Sequence, residues 1–295
     1  MRILLFLLTN AAVLLLVGFV FHVFGLSQTL AQNGVHLNLD SLLVMSALMG
    51  MTGSFISLAI SKWMAKRSMG VHVIEQPANA TEAWLVDTVR RLTQTAGIGM
   101  PEVGIFNSPD PNAFATGMSR DNALVAVSTG LLQRMRSEEV EAVLGHEISH
   151  VANGDMVTLT LLQGVLNTFV YFFASIIGYV VDRMILRSGD DEQGGFGMGY
   201  YLTQMVAQIF LSILATMIVM WFSRYREFRA DAGGANLAGR NKMVGALRAL
   251  QRAHEPQPLP SEFAAFGIRD GGGLSRLFMS HPPLEERIAA LEQQR

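Results

Sequence analysis

Four stretches of the chain run without Asp, Glu, Lys or Arg, at residues 3–24, 41–60, 156–181 and 200–223. A helix rises 1.5 Å per residue and needs about 20 apolar residues to cross the hydrocarbon of a bilayer, so each stretch is long enough to span. The first exceeds the short apolar core of a signal peptide, and GLSQTLA after it matches a cleavage site only loosely; it is expected to remain as an anchor. Lys62, Lys66 and Arg67 follow the second stretch and Arg224, Arg226 and Arg229 follow the fourth, whereas the 25–40 loop has no Lys or Arg. Basic residues stay on the cytoplasmic side, so the bulk of the chain is expected there. In the 182–199 loop Arg183 and Arg187 stand among acids, and its GGFGMG run lacks the preceding strand of a dinucleotide fingerprint, which leaves a flexible connector.

Between the second and third stretches the periodicity changes. VHVIE and EVGIF read as short strands, PNAFATG and ALVAVSTG as two more with one at a sheet edge, and TEAWLVDTVRRLTQTA puts Leu85, Val89 and Leu92 on one helical face. Ser137 with Glu138 and Glu139 marks a helix start. After the fourth stretch, residues 224–252 read as helix, 254–274 are rich in Pro and Gly, and PLEERIAALEQQ aligns Leu284, Ile288 and Leu291. The expected organisation is therefore two transmembrane helices in 1–61, an α+β segment in 62–155, a transmembrane hairpin in 156–223 and a helical segment in 224–295.

Composition agrees: half of the 295 residues are hydrophobic and 16% are charged, outside the usual soluble range. A formal net charge of −2 gives no footing for nucleic acid. With no cysteine, disulfides and thiol chemistry are excluded, and any transition metal must be held by His, Asp or Glu.

The candidate chemistry lies in EAVLGHEISHVANGD, residues 141–155, at the edge of the third stretch. His146 and His150 are four residues apart, so both imidazoles project from one helical face and reach a single ion, with Glu147 beside them. Hydrolytic zinc takes three protein ligands, leaves a position for water and lowers that water's pKa, while a nearby carboxylate takes the proton. One ligand is missing. Just past the fourth stretch the chain reads SRYREFRADAGGANLAG, and a hairpin that leaves beside His150 and returns there makes Glu227 the choice. Ala142, Gly145, Ser149 and Ala152 form a small-residue stripe beside the histidines, against which a second helix can pack closely. Asp231, one turn on, suits either an acceptor for the outer N–H of a ligating histidine or a polar surface turn. Asp155 and Asn153 are lesser candidates, because NGD is also how a helix ends or bends before lipid.

With HEISH, EFRAD and the late HPPLEER in place, the chain resembles the HtpX family of membrane zinc endopeptidases, relatives of the CAAX prenyl proteases, over essentially its whole length. The resemblance implies a multi-pass α-helical membrane protein with a zincin-like α+β cytoplasmic metallopeptidase domain and one Zn2+ per chain. It implies that Glu227 completes the metal site and Asp231 supports it, and it maps an HPxxxxR element onto His281 and Arg287, for substrate contact or oxyanion stabilisation. NAFATG resembles the family's strand at the cleft, so Asn112 and Ala113 are expected to help bind an extended peptide by strand addition. It further implies a bacterial inner (plasma) membrane location with both termini and the active site cytoplasmic. Its partners would be the lipid bilayer and membrane-protein or unfolded polypeptide substrates, cleaved in quality control.

Three rivals share parts of this pattern. A protease with HExxH inside the bilayer conflicts with Ser137, Glu138, Glu139 and Glu141 directly before the motif. CAAX-type processing is not separable by motif spacing. A non-catalytic metal transporter or sensor would place ionisable groups within the spans, where only His22 stands.

Overall fold

A computed structural model of the protein describes residues 38–186, 197–254 and 279–293, with Phe19, His22, Val23, Gly25, Gln28 and Leu277. Nearly all of the expected span at 3–24 and of the 254–274 segment lies outside the described residues. The chain forms two compact units, Met1–Ile56 with Thr160–Val219 and Ser57–Leu159 with Met220–Arg295. The described elements, in chain order, are α1 (Leu39–Ser68), β1 (His72–Val73), α2 (Ala80–Ala96), β2 (Glu102–Phe106), β3 (Ala113–Ser119), β4 (Asn122–Ser128), α3 (Thr129–Arg134), α4 (Ser137–Asn153), α5 (Asp155–Val180, continued by a π-helical turn at Val181–Leu186), α6 (Met198–Ala238), α7 (Arg240–His254) and α8 (Leu284–Gln293).

Among the described residues, three helices are long and apolar enough to cross a membrane: Leu39–Ser68, Asp155–Arg183 and Met198–Ala238. The first unit is built from parts of these. Large apolar side chains of α6 such as Leu202, Met205, Ile209, Phe210 and Leu214 stay exposed, as a lipid-facing surface requires. Helices associate in lipid through close backbone approach, and Gly50 provides it here: a Cβ there would lie 2.6 Å from the backbone N of Thr168 and 2.8 Å from the carbonyl of Gly164, so α1 and α5 touch main chain to main chain. Between α5 and α6 the Gln204 amide donates to the buried Ser175 hydroxyl at 2.8 Å.

The second unit holds a four-stranded sheet in the order β1-β2-β4-β3, with β2 and β4 parallel and the other pairs antiparallel. VHVIE contributes only two paired residues, His72 and Val73. β4 is buried from Ala123 to Ser128, as expected of a central strand covered on both faces, while β3 is an edge strand. Leu85, Val89 and Leu92 of α2 are fully buried and pack into one core with Val125, Leu144 and Leu247. Burying each such side chain contributes about 1.5–3 kcal/mol.

α4 starts at Ser137, and the Glu139 carboxylate reaches back to accept from the Arg136 backbone N–H at 2.8 Å, capping the first turn. It is packed by α2, α7, β3 and β4, which explains why almost all of it is buried. Glu141, on its buried side, bridges Arg91 of α2 and Lys242 of α7, each at 2.7 Å. Lys62 of α1 pairs with Glu102 at 2.8 Å and donates to Asn122 at 2.9 Å, tying the last turns of α1 to one end of the sheet. α6 does not stop where its apolar run ends. SRYREFRADAGGANLA contains no proline, and the helix continues to Ala238, breaking only at Gly239 with φ 107°.

Candidate active site

HEISH lies in the second half of α4, and EFRAD lies on α6 within the same unit. Their approach depends on having no side chain at three positions. Gly145 faces the carbonyl of Gly234; a Cβ on Gly234 would stand 2.9 Å from the backbone N of His146, and one on Gly233 would stand 2.0 Å from the Ser149 hydroxyl. The small-residue stripe of α4 thus meets the small run of α6 directly.

This contact brings the carboxylate of Glu227 between the two imidazoles. The Nε2 atoms of His146 and His150 are 3.1 Å apart; His150 Nε2 is 3.2 Å from Glu227 Oε1 and His146 Nε2 is 3.5 Å from Oε2. One ligand atom from each of the three residues falls within 4.8 Å of the others, a spacing that suits a single metal ion.

The outer ring nitrogens are also occupied. His146 Nδ1 is 2.9 Å from Asp231 Oδ1 and His150 Nδ1 is 2.7 Å from Asp155 Oδ2. A carboxylate only accepts, so Asp231 and Asp155 each favour a proton on Nδ1, the tautomer whose Nε2 lone pair is available to a metal. In that tautomer the two Nε2 atoms and the Glu227 carboxylate form an all-acceptor set that fits a cation. Protons respond to the same field. Burial pushes His146 down, but Asp231 and Glu227 outweigh it and hold the imidazole above its ordinary value. His150 is likewise pushed down by burial and raised on balance by Glu227 and Glu147. Glu147 itself is half-buried, one residue beyond His146.

Arg287 arrives from α8. It is buried, donating to Asp231 from Nε at 2.8 Å and from Nη2 at 2.6 Å, with Nη1 3.3 Å from Glu227 Oε2. Its desolvation is outweighed by Asp231, so it stays firmly charged. His281 places Nδ1 2.7 Å from Glu227 Oε2 while its side chain remains 61% exposed. The side chain of Arg224 on α6 is anchored to the same segment: its guanidinium donates to the Met279 carbonyl at 2.7 Å. Asn112 and Ala113 lie at the start of β3, where the Asn112 carbonyl accepts from Ser128 N–H at 2.8 Å. Across from β4, the other edge of β3 has no strand beside it among the described residues, and β3 packs on α4.

His146, His150, Glu227, Asp231, His281 and Arg287 therefore meet in one place, Glu147 acts electrostatically on His150 and Arg287, and β3 packs on the helix that carries the histidines. Two further residues join them: Asp155, a lesser candidate in the sequence because NGD also reads as a helix end, and Arg226, read there only as a basic flank. Their signal was proximity, since Asp155 follows Gly154 directly and Arg226 precedes Glu227.

Residues 79–295 match the sequence profile of peptidase family M48. Protease HtpX of Thioalkalivibrio sulfidiphilus (strain HL-EbGR7) is 62% identical over 293 residues, covering 99% of this chain and 98% of the relative. Protease HtpX homolog of Nitrosomonas europaea is 60% identical over 292 residues, covering 99% and 98%. Among solved structures, the crystal structure of S. mikatae Ste24p is similar in fold, with a TM-score of 0.62 at 17% identity over 94% of this chain and 66% of that one.

Proposed function

The chain belongs to peptidase family M48 and is a membrane metalloprotease, and from that premise we propose a zinc endopeptidase that cleaves cytoplasmic regions of misfolded or damaged membrane proteins. His146, His150 and Glu227 hold the metal and Glu147 moves the proton. The observation that carries this is the convergence of the ring nitrogens of His146 and His150 and the Glu227 carboxylate, from two separate helices, within 4.8 Å. When bound, zinc in such a site acidifies water and polarises the scissile carbonyl.

The chain's own residues do the rest. Asp231 and Arg287 fix the His146 ring, and Arg287 also steadies Glu227 through Nη1. Its guanidinium is already engaged by two carboxylates, so of the HPxxxxR pair His281, 61% exposed and held to Glu227 through one ring nitrogen only, is the one placed to meet substrate or a developing oxyanion. The open edge of β3 from Ala113 onward offers backbone groups to an extended peptide, and Asn112, whose backbone N–H and carbonyl are both taken by Ser128, sits at the start of that edge with its side chain. Glu147 takes the proton of the attacking water and returns it to the leaving amine.

The similarity to bacterial HtpX proteases supports a bacterial inner-membrane setting, and the basic flanks, Lys62, Lys66 and Arg67 after one apolar run and Arg224, Arg226 and Arg229 after another, support a cytoplasmic catalytic unit and termini. The experiment is cleavage of an unfolded membrane-protein client by the purified full-length chain before and after chelation and after zinc is restored. Activity is expected to vanish and return; undiminished cleavage with the metal fully removed refutes the reading.

A further inference from the structure

Each histidine of HEISH has a carboxylate on the ring nitrogen turned away from Glu227, yet the two carboxylates have different origins. Asp231, behind His146, lies one turn beyond Glu227 on α6. Asp155, behind His150, is the first residue of α5. In an unbroken helix a residue five positions on would be rotated by roughly 140° around the axis, too far to touch the ring. The contact exists because Gly154 is left-handed, with φ 65°, so that the chain turns between α4 and α5 and Asp155 folds back onto His150 at 2.7 Å.

The second oxygen of Asp155 is engaged too. Oδ1 pairs with the Arg226 guanidinium, whose Nη2 also lies 3.5 Å from the Asn153 carbonyl. Asp155 is 2% exposed and Arg226 7%, so the pair is shielded from solvent. Arg226 immediately precedes Glu227, which means α6 supplies both the carboxylate at the inner face of His150 and the cation behind its outer one. The arrangement mirrors Arg287–Asp231–His146.

We propose that Asp155 and Arg226 are positioning residues for the metal site: Asp155 holds His150 with its proton on Nδ1 and its Nε2 lone pair aimed at Glu227, and Arg226 clamps Asp155 in that pose. This rests on the reading that His146, His150 and Glu227 hold zinc. A ring so fixed loses little freedom when it takes a metal, and its basicity is raised by the carboxylate behind it. Because Arg226 and Glu227 are neighbours on one helix, any shift of α6 withdraws a ligand and loosens His150 together.

The test is a metal-affinity cycle on the full-length chain in detergent. Zinc is titrated in competition with a chromophoric chelator, and melting of the metal-free protein is followed separately. Asp155→Ala should weaken zinc binding roughly 10–100-fold, the range for loss of an outer carboxylate partner. Asp155→Asn keeps the size and one accepting oxygen but not the charge; it should fall between wild type and alanine, and it carries the test if the alanine variant does not fold. Arg226→Met should weaken binding by a smaller factor, and should add nothing in the Asp155→Ala background because it acts through Asp155. The double variant leaves no charge unpaired, so a pair that merely tied helices together would leave zinc affinity there as in wild type; the loss is expected to persist. Wild-type zinc affinity in the double variant, or in Asp155→Asn where the double does not fold, overturns the proposal. His146→Ala, run alongside, separates the two layers: if it too binds zinc like wild type, the metal-site reading itself has failed.

Discussion

Gly234→Ala sets two effects of opposite sign against each other. Gly234 is inside α6, where alanine would normally favour the helix by about 1 kcal/mol. A Cβ there, however, would stand 2.9 Å from the backbone N of His146, 3.1 Å from its Cα and 3.3 Å from the carbonyl carbon of Gly145. Comfortable contact begins at about 3.5 Å, and main-chain atoms cannot swing aside, so α4 and α6 must separate by roughly 0.5 Å or more. Overpacking of this kind costs about 1–3 kcal/mol, leaving a net loss between nothing and about 2 kcal/mol. The geometric cost is larger, because the same two helices carry His146, His150 and Glu227, and a misplacement approaching 1 Å in a reacting site costs about 100-fold in rate. The expected signature is a slight drop in melting temperature with a large drop in zinc affinity and turnover. Gly245→Ala is the control: it lies inside α7 with no atom within 4 Å of the added Cβ, and it should raise stability by up to about 1 kcal/mol without touching the metal. If Gly234→Ala stabilises as Gly245→Ala does and leaves zinc affinity unchanged, the close helix contact does not set the site and the reasoning fails.

Glu147→Gln should retain zinc at wild-type stoichiometry while turnover falls by about 10²–10⁴-fold, as expected for removal of a general base; near-normal turnover in a zinc-loaded variant would assign the proton transfer elsewhere. Glu141 is pushed up by burial but held below its ordinary value on balance by Lys242 and Arg91. Its stabilisation is therefore present above the unfolded-state pKa of about 4.3 and is lost as pH falls through the lower folded value. Glu141→Gln should lower stability by about 1–2 kcal/mol at neutral pH and flatten the acid limb of melting temperature against pH; an unchanged acid limb would contradict the bridge between α2, α4 and α7.

The membrane-protein class was open to reading because hydrophobic run length answers directly to bilayer thickness. The α+β part was legible where periodicity was strong, as in α2, whose Leu85, Val89 and Leu92 sit in the core. It was least legible in VHVIE, where pattern suggested a full strand and the sheet takes up two residues, because pairing is decided by the partner strand. Within the candidate site, a helical period alone places His146 and His150 on one face. Glu227 could be reached by following the chain through its hairpin, since connectivity brings it back to the same end. The clamp of Arg287 on Asp231 and Glu227, and that of Arg226 on Asp155, are contacts across 56 and 71 residues of sequence that no local pattern encodes. The polar stretch after the fourth apolar run was legible as helix over 224–252, but the break at Gly239 that divides it into the end of α6 and α7 was not.

Zinc binding by wild type and by Glu227→Ala tests most directly whether α6 completes the site begun by HEISH. Wild type should bind one zinc per chain, and the alanine variant should lose affinity by more than the roughly 10–100-fold that removal of an outer partner causes. Stoichiometric zinc at unchanged affinity in Glu227→Ala would contradict the account.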